Sequence, residues 1–395
     1  MTSINRKISS ALLIQFIKSN WGIALIITLT WKIVMLGIGY LIDSHADGGV
    51  PTLLHHTAMW DAGWYKIVID DYYQTNAASA AFYPLFPLMV GIIQTASFHF
   101  IDTLAAGQIV NTVSVWLAMT ALLVLGRNFL TWGKQFWLVI LVLSSPAAFF
   151  MHVFYGEALF MALGLWAYLF ALRRQWLYMG LLLALLTATR LPSILFVGLC
   201  GLEFMRSYHW KMRKMFNKNL LYFLLAPIGF IAYGVYLFIE RGDFLGMFHA
   251  YQATSDWSYQ VFDINIVKTI LRVAYELFRA FIGQRAFDTD IVVNHLLPIM
   301  SLLVLGVCSV YLLLKQKGKF IPLGIFGLVS IIMFTLNSNV VSAHRYILSC
   351  LTIYIALSLL VRGTYQNIIL VCMCAVGIAV QIVLFSLFIS GVFVG

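Results

Sequence analysis

Apolar runs long enough to cross a membrane follow one another along almost the whole chain. A helix needs about 20 apolar residues to cross the hydrocarbon core of a bilayer. Of the 395 residues, 62% are hydrophobic and 10% are charged, whereas an ordinary soluble domain is about 25% charged. This composition and the mean hydropathy of +0.91 exclude a soluble enzyme, a nucleic-acid-binding domain and a disordered protein. The sequence therefore predicts an all-α polytopic membrane protein.

Eleven apolar segments are predicted to span the membrane within a single domain, 1–395. The first segment lacks a small-residue cleavage pattern, which favours a retained span over a removed signal peptide. The segments between 176 and 205 are short and are separated by Pro192, so whether they make two crossings stays open. The predicted spans are 21–42, 103–126, 136–153, 157–172, 176–190, 192–205, 219–240, 292–314, 320–336, 346–361 and 367–393.

The distribution of charge predicts an orientation for these spans. With the N-terminus in the cytoplasm, 16 of the 25 basic residues lie on the cytoplasmic side, eight lie outside and Lys32 lies within the first span. This asymmetry follows the positive-inside rule and explains the net charge of +10 without a nucleic-acid partner. Of the 15 acidic residues, only Glu203 falls on the cytoplasmic side. The long outside segments, 43–102 and 241–291, are therefore the predicted site of function, on the non-cytoplasmic side of the membrane. If the source is prokaryotic, this is the cytoplasmic membrane.

The first outside segment contains a predicted interfacial helix over residues 60–72. Apolar residues recur there at helical spacing, and two of them are tryptophans, which favours a position flat in the membrane interface. Asp61 stands at the start of this helix, where its carboxylate either faces the helix bundle or only stabilises the helix N-terminus. The apolar stripe consists of Trp60, Trp64, Ile67 and Val68.

Two prolines three residues apart follow in segment 81–88, A-F-Y-P-L-F-P-L. Because proline fixes the backbone, they set the angle at which the chain enters and leaves the interface. The run from there to Phe98 is too short and too amphiphilic for a span. It predicts a second interfacial helix that returns the chain to the span at 103–126.

An ordered set of sequence blocks resembles the PIG-V-like mannosyltransferases, members of the GT-C glycosyltransferase superfamily. The resemblance covers most of the chain, from about residue 55 to residue 360. Gly156 and Leu191 depart from the family pattern, and these departures leave the identity of the acceptor open. The blocks are W-D-A-G-W-Y (60–65), A-F-Y-P-L-F-P-L (81–88), P-A-A-F-F (146–150), Y-G-E-A-L-F (155–160), L-T-A-T-R-L-P (186–192) and S-A-H-R-Y (342–346).

The resemblance implies a GT-C-type bundle of about 11 transmembrane helices with interfacial helices in the first outside loop. It implies that a polyprenyl- or dolichyl-phosphate-linked mannose is the donor and that a hydroxyl group of a glycan or glycolipid is the acceptor. It also implies inversion at the transferred sugar, with Asp61 as the catalytic residue. One carboxylate is enough for an inverting transfer, in which it acts as a general base towards the acceptor hydroxyl.

The chemistry of a lipid-phosphate donor points to further residues. A guanidinium group matches phosphate oxygens in pairs, which makes Arg345 and Arg190 candidates for the donor phosphate, with His344 and Tyr346 beside them. The alternative is that these arginines only anchor the chain at the interface. Further residues of the family blocks and one carboxylate–aromatic pair are candidates for substrate binding: Trp60, Trp64, Tyr65, Tyr83, Tyr155, Glu157, Asp256 and Trp257.

No cofactor or metal is predicted, because the histidines and the five cysteines lack the spacing of metal ligands. A divalent ion at the leaving phosphate stays open, and Asp70 and Asp71 are the residues to consider. Three alternatives also remain open: a transporter or flippase of lipid-linked sugars, a structural subunit, and a GT-C enzyme that uses another sugar. A transporter should bury ionisable groups near the bilayer midplane, whereas only Lys32 is mid-span here.

Overall fold

The computed structural model describes residues 15–46, 52–131, 133–252, 265–315, 318–361 and 363–395. The regular secondary structure of these ranges is helical, without a β-strand. Helices of nine or more residues are numbered in chain order: α1 Asn20–Ala46, α2 Asp61–Asp71, α3 Leu85–Ala96, α4 Thr103–Phe129, α5 Gln135–Leu143, α6 Glu157–Leu172, α7 Trp176–Thr187, α8 Ser193–Ser207, α9 Ile228–Arg241, α10 Ile266–Phe281, α11 Leu297–Leu314, α12 Ile321–Thr335, α13 Leu351–Leu360 and α14 Gln366–Ile389.

Five helical stretches in the described ranges are long and apolar enough to cross a bilayer. A sixth is obtained if Ala343–Ser349 and Leu351–Leu360, which meet at a bend of 75°, form one broken span. The prediction of a helical membrane protein is therefore confirmed, while the other predicted spans correspond to shorter helices. The five stretches are Asn20–Ser44, Thr103–Phe129, Lys218–Arg241, Ile291–Leu314 and Gln366–Ile389.

Two of the predicted spans are interrupted. The prediction of one continuous helix over 136–153 is wrong: α5 ends at Leu143, and Pro146 lies in the turns that follow. Proline cannot continue the hydrogen-bonding pattern of a helix, and the nine residues of α5 rise only about 14 Å. Segment 346–361 is likewise broken, since Cys350 adopts an extended backbone conformation before α13. Both interruptions lie next to the cavity described below.

The predicted hairpin between 176 and 205 consists of two separate helices. Helix α7 has 12 residues and α8 has 15. Residues 188–192 connect them, and Pro192 precedes the first residue of α8. The connection carries Arg190, one of the two candidate phosphate-binding arginines of the sequence.

Helix α4 forms the centre of the bundle. In its most apolar window 67% of the residues are buried, compared with 22% in the corresponding window of α1. It packs against α1, α5 and α6, and its buried apolar side chains from Val115 onwards belong to the main apolar core. The outer helices therefore keep wide apolar faces that are available to lipid.

A second apolar core lies beneath the candidate site and is rich in aromatic rings. It joins α3, the irregular chain between α5 and α6, and α14. Tyr155 is fully buried there, with its ring 5.6 Å from that of Phe150 and 5.9 Å from that of Phe388. This packing fixes the position of Tyr155, which does not itself line the cavity but contacts the backbone of Asp61.

The predicted helix over 60–72 is present as α2. The second predicted helix is present as α3, but it begins at Leu85, before the second of the two prolines, Pro87. The buried face of α2 differs from the predicted stripe, however. Ala62, Tyr65 and Val68 are buried, whereas Trp60 is exposed. The prediction assumed that this helix lies flat in the membrane interface, whereas the inward face of α2 packs against the rest of the protein.

Candidate active site

A cavity of about 640 Å³ lies at the start of α2. The irregular segment 188–192 contributes to its walls, as do the irregular residues 339–342 and the short helix Ala343–Tyr346 that follows them. Tyr83, Phe393 and Gly395 complete this part of the wall. Non-helical backbone at membrane depth is tolerated where it lines a cavity, because its polar groups can be satisfied there. A cavity of this size lies within the range typical of small-molecule sites.

Asp61 is the first residue of α2 and lines the cavity. Trp60, which precedes it, has a φ of 56°, in the left-handed region that few non-glycine residues adopt. The Asp61 backbone N–H donates to the Tyr155 hydroxyl at 3.0 Å, and that hydroxyl donates to the carbonyl oxygen of Met59 at 3.3 Å. The phenol therefore clamps the backbone on both sides of the tight turn that presents Asp61.

Tyr155 itself is unsuited to act as a base. Burial raises its pKa well above the usual range, so the phenol stays protonated at neutral pH. Burial also raises the pKa of Tyr65, whose ring packs against Phe82 and Phe86. Both phenols are therefore neutral hydrogen-bonding groups beside the cavity.

Arg345 connects the two carboxylates of the site. Its Nη1 donates to Asp61 Oδ2 at 2.7 Å, its Nε pairs with Glu157 Oε1, and its Nη1 also donates to the Gly395 carbonyl oxygen at 3.0 Å. Arg190 Nη1 pairs with the same oxygen of Glu157. Two arginines and two carboxylates thus form one cluster with no net formal charge.

Aromatic rings hold both arginines in place. The Arg345 guanidinium carbon lies 4.5 Å from the ring centre of Tyr155 and 4.9 Å from that of Phe150. The Arg190 guanidinium carbon lies 5.2 Å from the ring centre of Tyr346. Cation–π contacts of this kind stabilise a guanidinium that burial has deprived of water. They also fix the planes of both guanidinium groups beside the cavity.

The two carboxylates differ in accessibility. The Asp61 side chain is 24% exposed and lines the cavity, whereas the Glu157 side chain is 4% exposed and lies behind the arginines. Asp61 is the only aspartate or glutamate among the described residues that line the cavity. A substrate in the cavity can therefore contact Asp61, while Glu157 acts on the arginines.

The remaining predicted site residues fall into three groups. Trp60, Trp64, Tyr65, Tyr83 and Tyr346 line the cavity with Asp61 and the arginines. His344 does not line it: it is buried, and its Nε2 lies 2.7 Å from the Val394 carbonyl oxygen. Asp256 and Trp257 lie outside the described residues.

Sequence reasoning missed several residues of the cavity wall, namely Tyr251, Asn294, Phe393 and Gly395. Asn294 had a detectable signal, since an amide at the start of a long apolar run is unusual in a membrane segment. Gly395 had none, because its role depends on a contact with Arg345, which lies 50 residues earlier in the chain.

Within the described part of the chain, no group of three or more His, Cys, Asp or Glu side chains is arranged to hold a metal ion. Asp71, one of the two residues considered for a metal, accepts hydrogen bonds from the backbone N–H of Tyr73 at 3.0 Å and from the Thr75 hydroxyl. These contacts give the Asp71 carboxylate a structural role in the turn after α2.

Comparison with known proteins adds no identification: no family model and no curated protein matches this chain. The ordered sequence blocks and the geometry of the cavity are therefore the basis for a functional assignment.

Proposed function

We propose that the protein is a membrane glycosyltransferase of the GT-C type. It would transfer a sugar, mannose by the sequence resemblance, from a polyprenyl- or dolichyl-phosphate donor to a hydroxyl group of a glycan or glycolipid. The observation that carries this proposal is the pair formed by Asp61 and Arg345 in the cavity, 2.7 Å apart. It places a possible general base next to a cation that can bind phosphate.

In the proposed reaction, the acceptor hydroxyl oxygen attacks the anomeric carbon of the donor sugar, and the bond from that carbon to the phosphate oxygen breaks. Asp61 takes the proton of the hydroxyl group as the new glycosidic bond forms. The lipid phosphate leaves with the bonding electrons. Because a single carboxylate reaches the cavity, the geometry favours one inverting displacement over a double displacement, which needs two carboxylates about 5 Å apart.

The arginines would stabilise the leaving phosphate. Arg345 contacts Asp61, so protonation of Asp61 releases a guanidinium N–H at the moment when negative charge develops on the phosphate. Donors that strengthen their contacts in the transition state raise the rate and not only the affinity. Glu157 would keep Arg345 and Arg190 in place throughout, since it pairs with both.

The proposal includes the finer topology: about eleven crossings, an N-terminus in the cytoplasm and a cavity on the outside face. The shorter helices α6, α7, α8 and α12 would complete the bundle beside the long ones. Cysteines introduced near Asp61 should react with an impermeant thiol reagent from outside, whereas cysteines at 211–214 should not. The opposite pattern would reject this orientation.

Asp61→Asn tests the catalytic assignment. The amide keeps the size of the side chain but cannot accept the proton, so transfer of labelled mannose from a synthetic mannosyl-phosphoryl-polyprenol should fall about 10²- to 10⁴-fold. Asp70→Asn is a matched control, because Asp70 is exposed near the other end of the same helix, and its activity should be unchanged. Near wild-type turnover in Asp61→Asn would reject the proposal. Translocation of the labelled lipid without a glycosidic product would indicate a transporter instead.

A further inference from the structure

Two polar atoms in the cavity wall are buried without a partner. The Tyr83 hydroxyl and the Asn294 Oδ1 make no hydrogen bond within the described part of the chain, and both residues line the cavity. Tyr83 is only 3% exposed, so water has little access to it. Buried polar groups in native proteins are nearly always paired, and an orphan calls for an explanation such as an absent ligand.

The orientation of the Asn294 amide follows from its neighbours. Its Nδ2 donates to Asp290 Oδ1 at 2.8 Å. A carboxylate at neutral pH only accepts hydrogen bonds, so the atom facing Asp290 is the nitrogen. The unpaired atom is therefore the carbonyl oxygen, which can accept a hydrogen bond from a ligand.

A chain of ion pairs supports this orientation from outside the cavity. Asp290 Oδ2 pairs with Arg285 at 2.5 Å, and Arg285 pairs with Glu276 of α10, also at 2.5 Å. Asn294 itself lies in a π-helical turn, Ile291–Leu296, immediately before α11. Such turns are rare and occur frequently at functional sites. The amide is thus held by a connected network and is not a freely rotating side chain.

The chemistry of the two orphan atoms is complementary. The Tyr83 phenol can donate one hydrogen bond and accept others, and burial raises its pKa, so it remains a donor at neutral pH. Asn294 Oδ1 can only accept. Hydroxyl groups both donate and accept, so a ring that carries several hydroxyl groups can satisfy both atoms. An apolar or purely anionic ligand would leave at least one of them unpaired.

We propose that Tyr83 and Asn294 form a subsite that binds hydroxyl groups of a pyranose sugar in the cavity. The proposal rests on the proposed function and deepens it, because it assigns sugar selection to these two residues and phosphate binding to the arginines. The sugar is either the transferred ring of the donor or a ring of the acceptor. Both sources present the same hydroxyl chemistry, and the experiment separates them.

Tyr83→Phe is the sharpest variant. It removes only the unpaired hydroxyl and keeps the ring, so a purely structural role predicts that thermal stability is kept or raised and that ligand binding is unchanged. The proposal predicts the same stability but weaker binding of mannosyl-phosphoryl-undecaprenol, by about 10-fold for one lost hydrogen bond. Binding can be followed by the fluorescence of Trp60 and Trp64, which line the cavity.

Tyr168→Phe provides a matched control. The Tyr168 hydroxyl is also buried without a partner among the described residues, but Tyr168 belongs to the main core and does not line the cavity. Its removal should have a similar effect on stability and none on binding. Asn294→Leu is the second test variant, because it removes the orphan oxygen while keeping a side chain of similar size.

Deoxy analogues identify the hydroxyl group and its source. Mannosyl-phosphoryl-undecaprenol with one hydroxyl removed should bind the wild type about 10-fold more weakly at the recognised position. Tyr83→Phe or Asn294→Leu should bind that analogue and the parent donor equally. If the two variants instead bind the donor as tightly as the wild type, and only the affinity for competing methyl mannoside falls, the subsite binds a ring of the acceptor. The subsite proposal is overturned if the wild type binds and transfers but both variants match it with every ligand. Absence of donor binding and transfer in the wild type would overturn the proposed function itself.

Discussion

Glu157→Gln should destabilise the protein much more than Asp61→Asn, although both remove one carboxylate from the same cluster. Glu157 is 4% exposed and pairs with Arg345, which is also 4% exposed, and with Arg190, which is 14% exposed. Glutamine preserves the shape and can still accept a hydrogen bond. Among the described residues, however, it takes the only paired carboxylate from Arg190 and one of two from Arg345, and both guanidinium groups lie largely out of solvent.

The size of the effect follows from this burial. Removing one partner of a buried ion pair costs about 3–5 kcal/mol, because the remaining charge stays desolvated. Asp61 is 24% exposed, and Arg345 keeps Glu157 when Asp61 is replaced. The Asp61–Arg345 pair lies between exposed pairs, which contribute about 0–1 kcal/mol, and buried ones, so Asp61→Asn should cost about 1–2 kcal/mol. Glu157→Gln should therefore mainly lower stability, whereas Asp61→Asn should mainly lower activity.

The assay is unfolding of the purified protein in mixed micelles, with activity measured on the same preparations. Asp61→Asn should unfold close to the wild type and be inactive, whereas Glu157→Gln should unfold at a clearly lower concentration of denaturing detergent. Glu203→Gln is a matched control, since Glu203 is 1% exposed but pairs with Arg206, which is 29% exposed and can reach solvent. It should lose less stability and keep activity. A Glu157→Gln protein as stable as the wild type would refute the reasoning.

Two further predictions concern a charge and a pH dependence. Arg345→Lys keeps the charge but loses the paired donors. Donor turnover should therefore fall about 10- to 150-fold, as expected for the loss of a charge-assisted contact of about 1.5–3 kcal/mol. Full activity in both Arg345→Lys and Arg345→Ala would show that Arg345 only anchors the chain. Burial lowers the pKa of His56 to about 4, whereas an unfolded histidine takes up its proton near pH 6.5. Stability should therefore be highest above pH 6.5 and fall between pH 6.5 and 4, and His56→Gln should flatten this dependence in melting experiments; an unchanged profile would contradict it.

Local sequence properties determined most of the secondary structure. Apolar composition is enough to identify a helical membrane protein, because the cost of burying unpaired backbone in lipid leaves helices as the solution for such segments. Helical spacing predicted α2, whereas α3 begins between the two prolines, at Leu85, and not after them as expected. The buried residues of α2 differ from the predicted stripe, because helical spacing indicates that an apolar face exists but not which part of the protein covers it.

Residues of the cavity could be predicted where a chemical type stands out against its surroundings. Arg190 and Arg345 lie at the ends of apolar runs, where a charge needs a partner or a function, and Asp61 stands out through the W-D-A-G-W-Y block. The sequence therefore names these three residues as candidates, without predicting that they share one cavity. Asn294 had the same kind of signal, but a single amide is too weak a signal without its position in space.

Only the tertiary structure decided how these residues act on one another. Asp61 and Arg345 are 284 positions apart in the chain, and Arg345 and Glu157 are 188 apart. The breaks after α5 and before α13 bring the chain segments around Tyr155 and Arg345 to one place, and no local pattern specifies that meeting. The physical reason is that helix formation depends on neighbours within a few residues, whereas the cluster depends on long-range packing. The sequence by itself therefore determined the helices and the chemical types at the site, and the tertiary structure alone decided that Asp61 faces the cavity while Glu157 holds the arginines.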